Sequence, residues 1–156
     1  VPRYVEWQQA GHVAAGKRAE VVTDGGGFVV LDGGFGFGQT VAPQATALGI
    51  ERAQRHGTAV VALRDSGHIG RAGAYAEQAV AAGAQPEGGL GAIRAFGEHK
   101  GSGLAFACEL LAGALTGGGC AGPVEKRGRI ANGMLSVFIS PKHFGTEAEF
   151  LRAAQE

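Results

Sequence analysis

Residues 58–71 have the sequence TAVVALRDSGHIGR, and this stretch decides the fold of the chain. Thr58–Leu63 is an almost uninterrupted apolar run rich in β-branched residues, which is the pattern of a strand buried on both faces. A polar loop, Arg64–Arg71, follows at once and precedes a helix that we predict from about Ala72 to Ala82. The sequence therefore predicts an α/β fold, in which ligands bind beyond the carboxyl ends of buried strands.

His68 is the candidate acid/base group of this loop. An imidazole exchanges protons near neutral pH, and Asp65 or another carboxylate could fix its tautomer. A loop histidine that is bonded only to backbone fits the same residues. The residues alone leave both interpretations open.

The remaining segments predict a mixed sheet with helices packed on it. Helical spacing and capping residues predict further helices over Val1–Gln9, Gln39–His56 and Thr146–Gln155. Short apolar runs predict strands over Glu20–Thr23, Phe28–Asp32 and Met134–Ile139, with a glycine-rich hairpin turn between the first two. Because no Gly-x-Gly-x-x-Gly turn joins a strand to a helix, we do not expect a doubly wound nucleotide-binding fold.

Residues 97–116 place a polar, glycine-flanked cluster before a long apolar run. Leu104–Leu115 is apolar nearly all round at helical spacing, which predicts a buried helix that contains Cys108. Glycines at its start and its N-terminal dipole favour an anionic group, with His99 and Lys100 beside it. An ordinary buried helix with a glycine-rich start and a solvated lysine fits equally well.

Composition excludes several classes of protein. The 156 residues carry a formal net charge of zero, which argues against a nucleic-acid or membrane-surface partner. Apolar runs are interrupted well before the roughly 20 residues that a bilayer span needs. The two cysteines lack metal-ligand spacing, so we expect no metal, and a reducing cytoplasm is the default location.

Several blocks of sequence resemble one known family in an ordered series. The blocks are Pro2–Val5, Asp32–Gly33 with Gly36–Gln39, Ser66–Gly73 with Tyr75–Glu77, Phe96–Gly103, Glu109–Gly117, and Asn132–Met134 with Ser140–Pro141 and Phe144–Gly145. Together they cover most of the chain and resemble the type-2 malate/L-lactate dehydrogenases, which are nicotinamide-dependent 2-hydroxycarboxylate dehydrogenases without a Rossmann fold. The Phe96–Gly101 block is most similar to hydroxycarboxylate dehydrogenases that reduce 2-oxo acids.

The resemblance implies roles for individual residues. By it, His68 lies at the active-site cleft as an acid/base or substrate-orienting group. The implied cofactor is NAD or NADP, and the sequence does not choose between them. The positions that the resemblance places at the cofactor or along its cleft are His99, Lys100, Gly101, Asn132, Arg71, Ala72, Gly73 and Ala74.

The expected function is hydride transfer between the cofactor and the 2-carbon of a small 2-oxo or 2-hydroxy acid, with a histidine supplying the proton. We also expect a homodimer, because the resembled family forms dimers and the glycine-rich apolar surfaces are extensive for a monomer. Residues 1–84 and 85–156 are expected to be the N-terminal and C-terminal parts of one catalytic domain.

Members of the resembled family are considerably longer than this sequence. They carry a Ser-His-Gly motif with the usual proton donor before the matched region, and a cofactor domain between its two parts. We therefore interpret the sequence as part of a longer dehydrogenase. The alternatives are a non-catalytic short paralogue or designed core that acts as an assembly or small-anion-binding module, and a fragment that is unstable alone. Saturable binding of NADH or NADPH would contradict the inert module.

Overall fold

The computed structural model describes residues 2–82, 106–120 and 129–144, together with Ala148 and Arg152. In these ranges the helices are α1 (Pro2–Gln9), α2 (Gly38–His56) and α3 (Gly73–Ala81), and the strands are β1 (Glu20–Asp24), β2 (Phe28–Asp32), β3 (Thr58–Ser66) and β4 (Asn132–Ile139). Glu109–Ala114 forms a π-helical segment, and Pro141–Phe144 forms a short 3₁₀ helix. The predicted α/β fold with a mixed sheet is confirmed.

The four strands form one sheet in the order β1-β2-β3-β4. The hairpin strands β1 and β2 are antiparallel, β2 and β3 are parallel, and β3 and β4 are antiparallel. Parallel neighbours need a crossover connection, and α2 supplies it. Asp32 at the end of β2 lies opposite Arg64 in β3, so the loops that follow both strands start at the same edge of the sheet.

The core lies between α2 and the two central strands. Aliphatic side chains of β2 and β3 meet one face of α2, and the members of this core cluster with 3% exposure or less are Val29, Leu31, Val41, Ala42, Ala45, Val61 and Leu63. Fully burying a side chain of valine or leucine size stabilises the fold by about 1.5–3 kcal/mol. The predicted buried strand therefore does supply the centre of the core, and its position fixes the loop that follows it.

Most predicted boundaries agree with the structure. Gly11 and Gly57, which follow α1 and α2, have φ angles of +73° and +90°, as expected of glycines at helix ends. The last strand differs slightly, because β4 begins at Asn132, two residues before the predicted Met134. Glycine is required at its second position, since a Cβ at Gly133 would overlap the carbonyl oxygen of Ala112.

The helix predicted over Leu104–Leu115 was expected to be buried on all sides. This prediction is wrong for its described part, residues 106–115. Phe106 and Leu115 are each 66% exposed, and Leu110 and Leu111 are 46% and 49% exposed. Cys108 is also exposed rather than buried. The π-helical segment meets the described part of the sheet through the start of β4, and its buried residue is Gly113. Apolar spacing alone does not reveal on how many sides a helix is covered.

Two further predictions lie outside the described residues. These are the glycine-flanked cluster of residues 97–103 and the final helix over Thr146–Gln155, of which only Ala148 and Arg152 are described and are helical.

Candidate active site

The site is built where the loop after β2 packs on the loop after β3, backbone against backbone. Three hydrogen bonds join the loop after β2 to the last residues of β3 and to the loop that follows, from Gly33 N to Arg64 O (2.9 Å), from Phe35 N to Asp65 O (2.6 Å) and from Gly67 N to Gly36 O (2.8 Å). Phe35 and Asp65 both adopt left-handed backbone, with φ angles of 56° and 49°. Such conformations cost free energy in residues other than glycine, and they cluster at functional sites.

His68 follows this junction and is held through one ring nitrogen. Its Nδ1 atom lies 3.0 Å from the hydroxyl oxygen of Tyr4 and 3.2 Å from the backbone nitrogen of Gly70. A backbone N–H can only donate, so Nδ1 is the acceptor and the proton of the neutral ring is on Nε2. The sequence pattern favoured a carboxylate such as Asp65 for this task, whereas a phenol and a backbone amide perform it here.

An aromatic cluster packs on one side of the imidazole. Tyr4 and Trp7, one helical turn apart on α1, pack edge to face with ring centroids 5.3 Å apart. The His68 ring lies 6.2 Å from Tyr4 and 6.1 Å from Trp7, and the Phe37 ring lies 6.2 Å from Tyr4. The role of Tyr4 was not predicted from the sequence. The available signal was the i, i+3 spacing of the two aromatic residues on a short helix.

Gln39, in the first turn of α2, extends the contacts of His68 by one residue. Its side-chain Nε2 donates to the Tyr4 hydroxyl oxygen over 2.7 Å. Gln39, Tyr4 and His68 thus form a continuous chain of hydrogen bonds contributed by α2, α1 and the loop after β3. Sequence analysis did not assign Gln39 a role.

Arg71–Ala74 carry the chain from this loop into α3. The Arg71 guanidinium forms a bidentate pair with Glu77, with N–O distances of 2.5 and 2.7 Å. This pairing holds the pKa of the Glu77 carboxyl below its ordinary value and raises the pKa of Arg71. Ala72, at the N-cap of α3, brings no side-chain hydrogen bond to the helix start, so the first turn through Gly73 and Ala74 lacks a side-chain cap.

Tyr75 ties the first turn of α3 back to the loop. Its hydroxyl donates to the carbonyl oxygen of Ile69, the residue directly after His68. Burial raises the pKa of the Tyr75 phenol, so the group stays a neutral donor. The loop is therefore anchored on both sides of His68, by Gly67 before it and by Ile69 after it.

Asn132 lies at the same edge of the sheet as His68. It pairs with Ser66, which is fully buried and donates its hydroxyl to the Gly67 carbonyl over 2.9 Å. His68 follows Ser66 by two residues, so Asn132 lies beside the end of the strand that leads to His68. The other predicted cofactor residues, His99, Lys100 and Gly101, lie outside the described residues.

An ion pair that sequence analysis missed also stands at this edge. Arg64 Nε lies 3.2 Å from Asp32 Oδ2, and Asp32 Oδ1 accepts the Gly34 N–H over 2.8 Å. The two charged residues lie opposite each other in the parallel pair β2–β3. The pair fixes the start of the glycine-rich loop after β2.

An apolar groove of about 780 Å³ lies next to the site, between α2, α3 and β4. Ile69 and Ala72, on either side of the Gly70–Arg71 step, line it together with Met134 and Phe138 of β4. His68 is not one of its lining residues. The imidazole and the groove are therefore neighbours and not parts of one cavity.

Membrane-spanning helices and metal-binding groups were sought in the part of the chain that the structure describes. Its helices include none that is both long and apolar enough to cross a membrane. Nowhere within residues 2–82, 106–120 and 129–144 do three or more His, Cys, Asp or Glu side chains form a group that could hold a metal ion.

Comparison with protein families gives a match in two ranges that together cover the whole sequence. Residues 1–86 and 83–156 match the malate/L-lactate dehydrogenase family. The chain belongs to this family. The resemblance found in the sequence is therefore confirmed, and the alternative of a non-catalytic module is not favoured.

Curated relatives are matched over part of their length. Hydroxycarboxylate dehydrogenase B of Escherichia coli O157:H7 is 49% identical over 83 residues, which are 53% of this chain and 23% of that protein. The L-lactate dehydrogenase of Cupriavidus necator is 28% identical over 210 residues, covering 80% of this chain and 60% of that protein. The matched region thus spans less than two thirds of either relative.

Solved structures of the family share the fold. The sulfolactate dehydrogenase of Methanocaldococcus jannaschii superposes with a TM-score of 0.80 at 22% identity, covering 98% of this chain and 68% of that one. This agreement confirms the predicted malate/lactate dehydrogenase type-2 fold.

Proposed function

We propose that this chain is part of an NAD(P)-dependent oxidoreductase that interconverts 2-hydroxy acids and 2-oxo acids by hydride transfer. The observation that carries the proposal is the way His68 is held, with Nδ1 bonded by Tyr4 and Gly70 in a loop at the carboxyl end of β3. Family membership supports it, since the relatives are named as dehydrogenases of lactate and of hydroxycarboxylates.

Reduction of a 2-oxo acid needs a hydride at C2 and a proton at the oxygen. The cofactor, when bound, supplies the hydride. His68 presents Nε2–H to the carbonyl oxygen, which polarises the C2–O bond and stabilises the charge that develops there. As the oxygen takes this proton, Nδ1 takes the hydroxyl proton of Tyr4, and water returns a proton to the half-exposed phenol.

The donor set of the described residues fits a nicotinamide cofactor. The Asn132 amide can both donate to and accept from a carboxamide, and the positive end of the α3 dipole suits a phosphate group. Arg71 reaches such a group only if its pair with Glu77 opens. His99, Lys100 and Gly101 complete the proposed cofactor set.

The relatives also guide the substrate class. Besides hydroxycarboxylates, their names include malate, lactate and sulfolactate, and these three are 2-hydroxy acids. A small 2-hydroxy or 2-oxo acid is therefore the proposed substrate. A cytoplasmic homodimer is the proposed working form.

Cofactor titration followed by turnover tests the function. We expect NADH or NADPH to bind saturably, as followed by cofactor fluorescence, and to be oxidised when pyruvate, oxaloacetate or phenylpyruvate is added. A protein that binds neither cofactor, or that binds one and oxidises it with none of these acids, would contradict the proposal. The His68→Gln variant should still bind cofactor, because His68 is not a proposed cofactor residue.

A further inference from the structure

We propose that Gln39 is a positioning residue that sets the direction of the hydrogen bonds between Tyr4 and His68 and thereby keeps the proton of the neutral imidazole on Nε2. The inference rests on the proposed role of His68 as the group that acts on the substrate oxygen. It adds a residue of α2 that acts on His68 through the Tyr4 hydroxyl.

Three hydrogen bonds define the arrangement. Gln39 Nε2 lies 2.7 Å from the Tyr4 hydroxyl oxygen, which lies 3.0 Å from His68 Nδ1. The backbone nitrogen of Gly70 lies 3.2 Å from the same Nδ1 atom. Two groups therefore converge on one lone pair of the imidazole.

The direction of these bonds follows from the donors available. A phenol has one hydrogen, and the Gly70 N–H can only donate. If the amide NH₂ of Gln39 donates to the phenol oxygen, the Tyr4 hydroxyl hydrogen points to Nδ1, and both groups at Nδ1 are donors. If Gln39 instead presented its amide oxygen, the Tyr4 hydrogen would point to Gln39. Nδ1 would then have to donate to Tyr4 and would oppose the Gly70 N–H.

Packing holds the Gln39 amide in place. Gly70 adopts a φ angle of +72°, and a Cβ there would lie 3.2 Å from Gln39 Nε2, so the amide lies against the Gly70 backbone. The preceding residue, Gly38, starts α2 in close contact with the His68 carbonyl. The contact between the start of α2 and the loop after β3 therefore fixes the positions of Gln39 and His68 relative to each other.

Gln39→Glu tests the proposal because it keeps the shape of the side chain and reverses its hydrogen bonding. The ionised carboxylate can only accept, so the Tyr4 hydroxyl turns toward it and Nδ1 loses one donor. We expect the fraction of neutral His68 with its proton on Nε2 to fall. Long-range ¹H–¹⁵N correlation spectra of histidine-labelled chain measure this fraction, with the His68 signals assigned by His68→Gln. Gln9→Glu, at an exposed position of α1, makes the same change of charge and should leave the tautomer unchanged.

A double substitution separates positioning from a direct effect of charge. In a Tyr4→Phe background the hydroxyl is gone, so Gln39→Glu should no longer change the His68 tautomer. The proposal is overturned if Gln39→Glu leaves the tautomer as in the parent, or if it shifts the tautomer equally with and without the Tyr4 hydroxyl. Both variants should fold, because Gln39 is exposed and Tyr4→Phe keeps the aromatic ring of a half-exposed residue.

A failure of the proposed role of Gln39 can be distinguished from a failure of the proposed dehydrogenase reaction. The tautomer is measured without substrate, so it reports on Gln39 even if no acid is reduced. If the protein is active, Gln39→Glu should lower kcat about tenfold with a smaller change in the KM of the oxo acid, because it alters proton delivery and not binding. A tautomer shift in an inactive protein would retain the role of Gln39 and would refute only the reaction.

Discussion

The backbone of Gly38 lies directly against the carbonyl group of His68, and a Cβ at position 38 would overlap that oxygen. Gly67, the residue before His68, makes a similar contact, since its Cβ would lie 2.6 Å from the Gly36 carbonyl oxygen. Glycines at both positions let the two loops approach within hydrogen-bonding distance. The orientation of the candidate acid/base group thus depends on residues that carry no side chain.

Gly38→Ala should destabilise the protein and disturb the site together. The new methyl group meets backbone atoms, which cannot rotate away, so we expect a loss of about 1–3 kcal/mol in the free energy of unfolding. Urea denaturation measures it. Gly27→Ala is the matched control, because a Cβ there meets nothing within 4 Å, and it should change stability by less than about 0.5 kcal/mol. Equal effects of the two substitutions would contradict the packing argument.

His68→Gln should separate chemistry from folding. The His68 side chain is exposed, so the melting temperature should stay close to that of the parent. Loss of a positioned acid/base group typically costs about 10²–10⁴-fold in rate, and we expect a decrease in kcat for oxo-acid reduction within that range. His56→Gln, at the exposed end of α2, should leave kcat unchanged. If His68→Gln retains the parent rate, His68 is not the proton-transfer group.

The fold was predictable because its signals are local. The apolar, β-branched composition of Thr58–Leu63 predicts a central strand, and Gly57 indicates the end of the preceding helix. The position of His68 was predictable for the same reason, since it follows that strand in the chain. Each of these features depends on residues within a few positions of one another.

The partners of His68 were not predictable in this way. Tyr4 is 64 positions away in the sequence and Gln39 reaches His68 only through Tyr4, so no spacing rule connects them. The exposure of Leu111 was missed for a related reason, because burial depends on which elements lie nearby and not on the pattern of one helix. The contacts that orient the His68 side chain join residues far apart in the sequence, and the local sequence pattern does not predict them.

The ion pair between Asp24 and Arg52 predicts that the stability of the protein depends on pH. The Arg52 guanidinium, and then the Gly26 N–H, hold the pKa of the Asp24 carboxyl below its ordinary value. A lowered folded-state pKa contributes stability above the unfolded pKa, and this contribution is lost as the pH falls through the folded pKa. Arg52→Met should therefore raise the pKa of Asp24 and reduce stability at neutral pH but not in acid.

Carboxyl-detected NMR titration, with urea denaturation at several pH values, measures both effects. Arg55→Met is the control, since Arg55 pairs with Glu51 and should leave Asp24 unchanged. A pKa of Asp24 that is the same in the parent and in Arg52→Met would show that the ion pair does not operate in solution.

Gly133→Ala should detach the π-helical segment from the sheet. A Cβ at Gly133 would overlap the Ala112 carbonyl oxygen, to which Thr116 also donates its hydroxyl over 2.6 Å. The clash is with backbone already engaged in a hydrogen bond, so the segment must move away from β4. We expect faster hydrogen exchange in residues 109–116 and a stability loss of about 1–3 kcal/mol.

Because Gly133 follows Asn132, cofactor affinity should weaken as well, whereas Gly27→Ala should leave exchange in this segment and cofactor binding unchanged. Unaltered exchange in residues 109–116 of Gly133→Ala would mean that this contact does not hold the segment on β4.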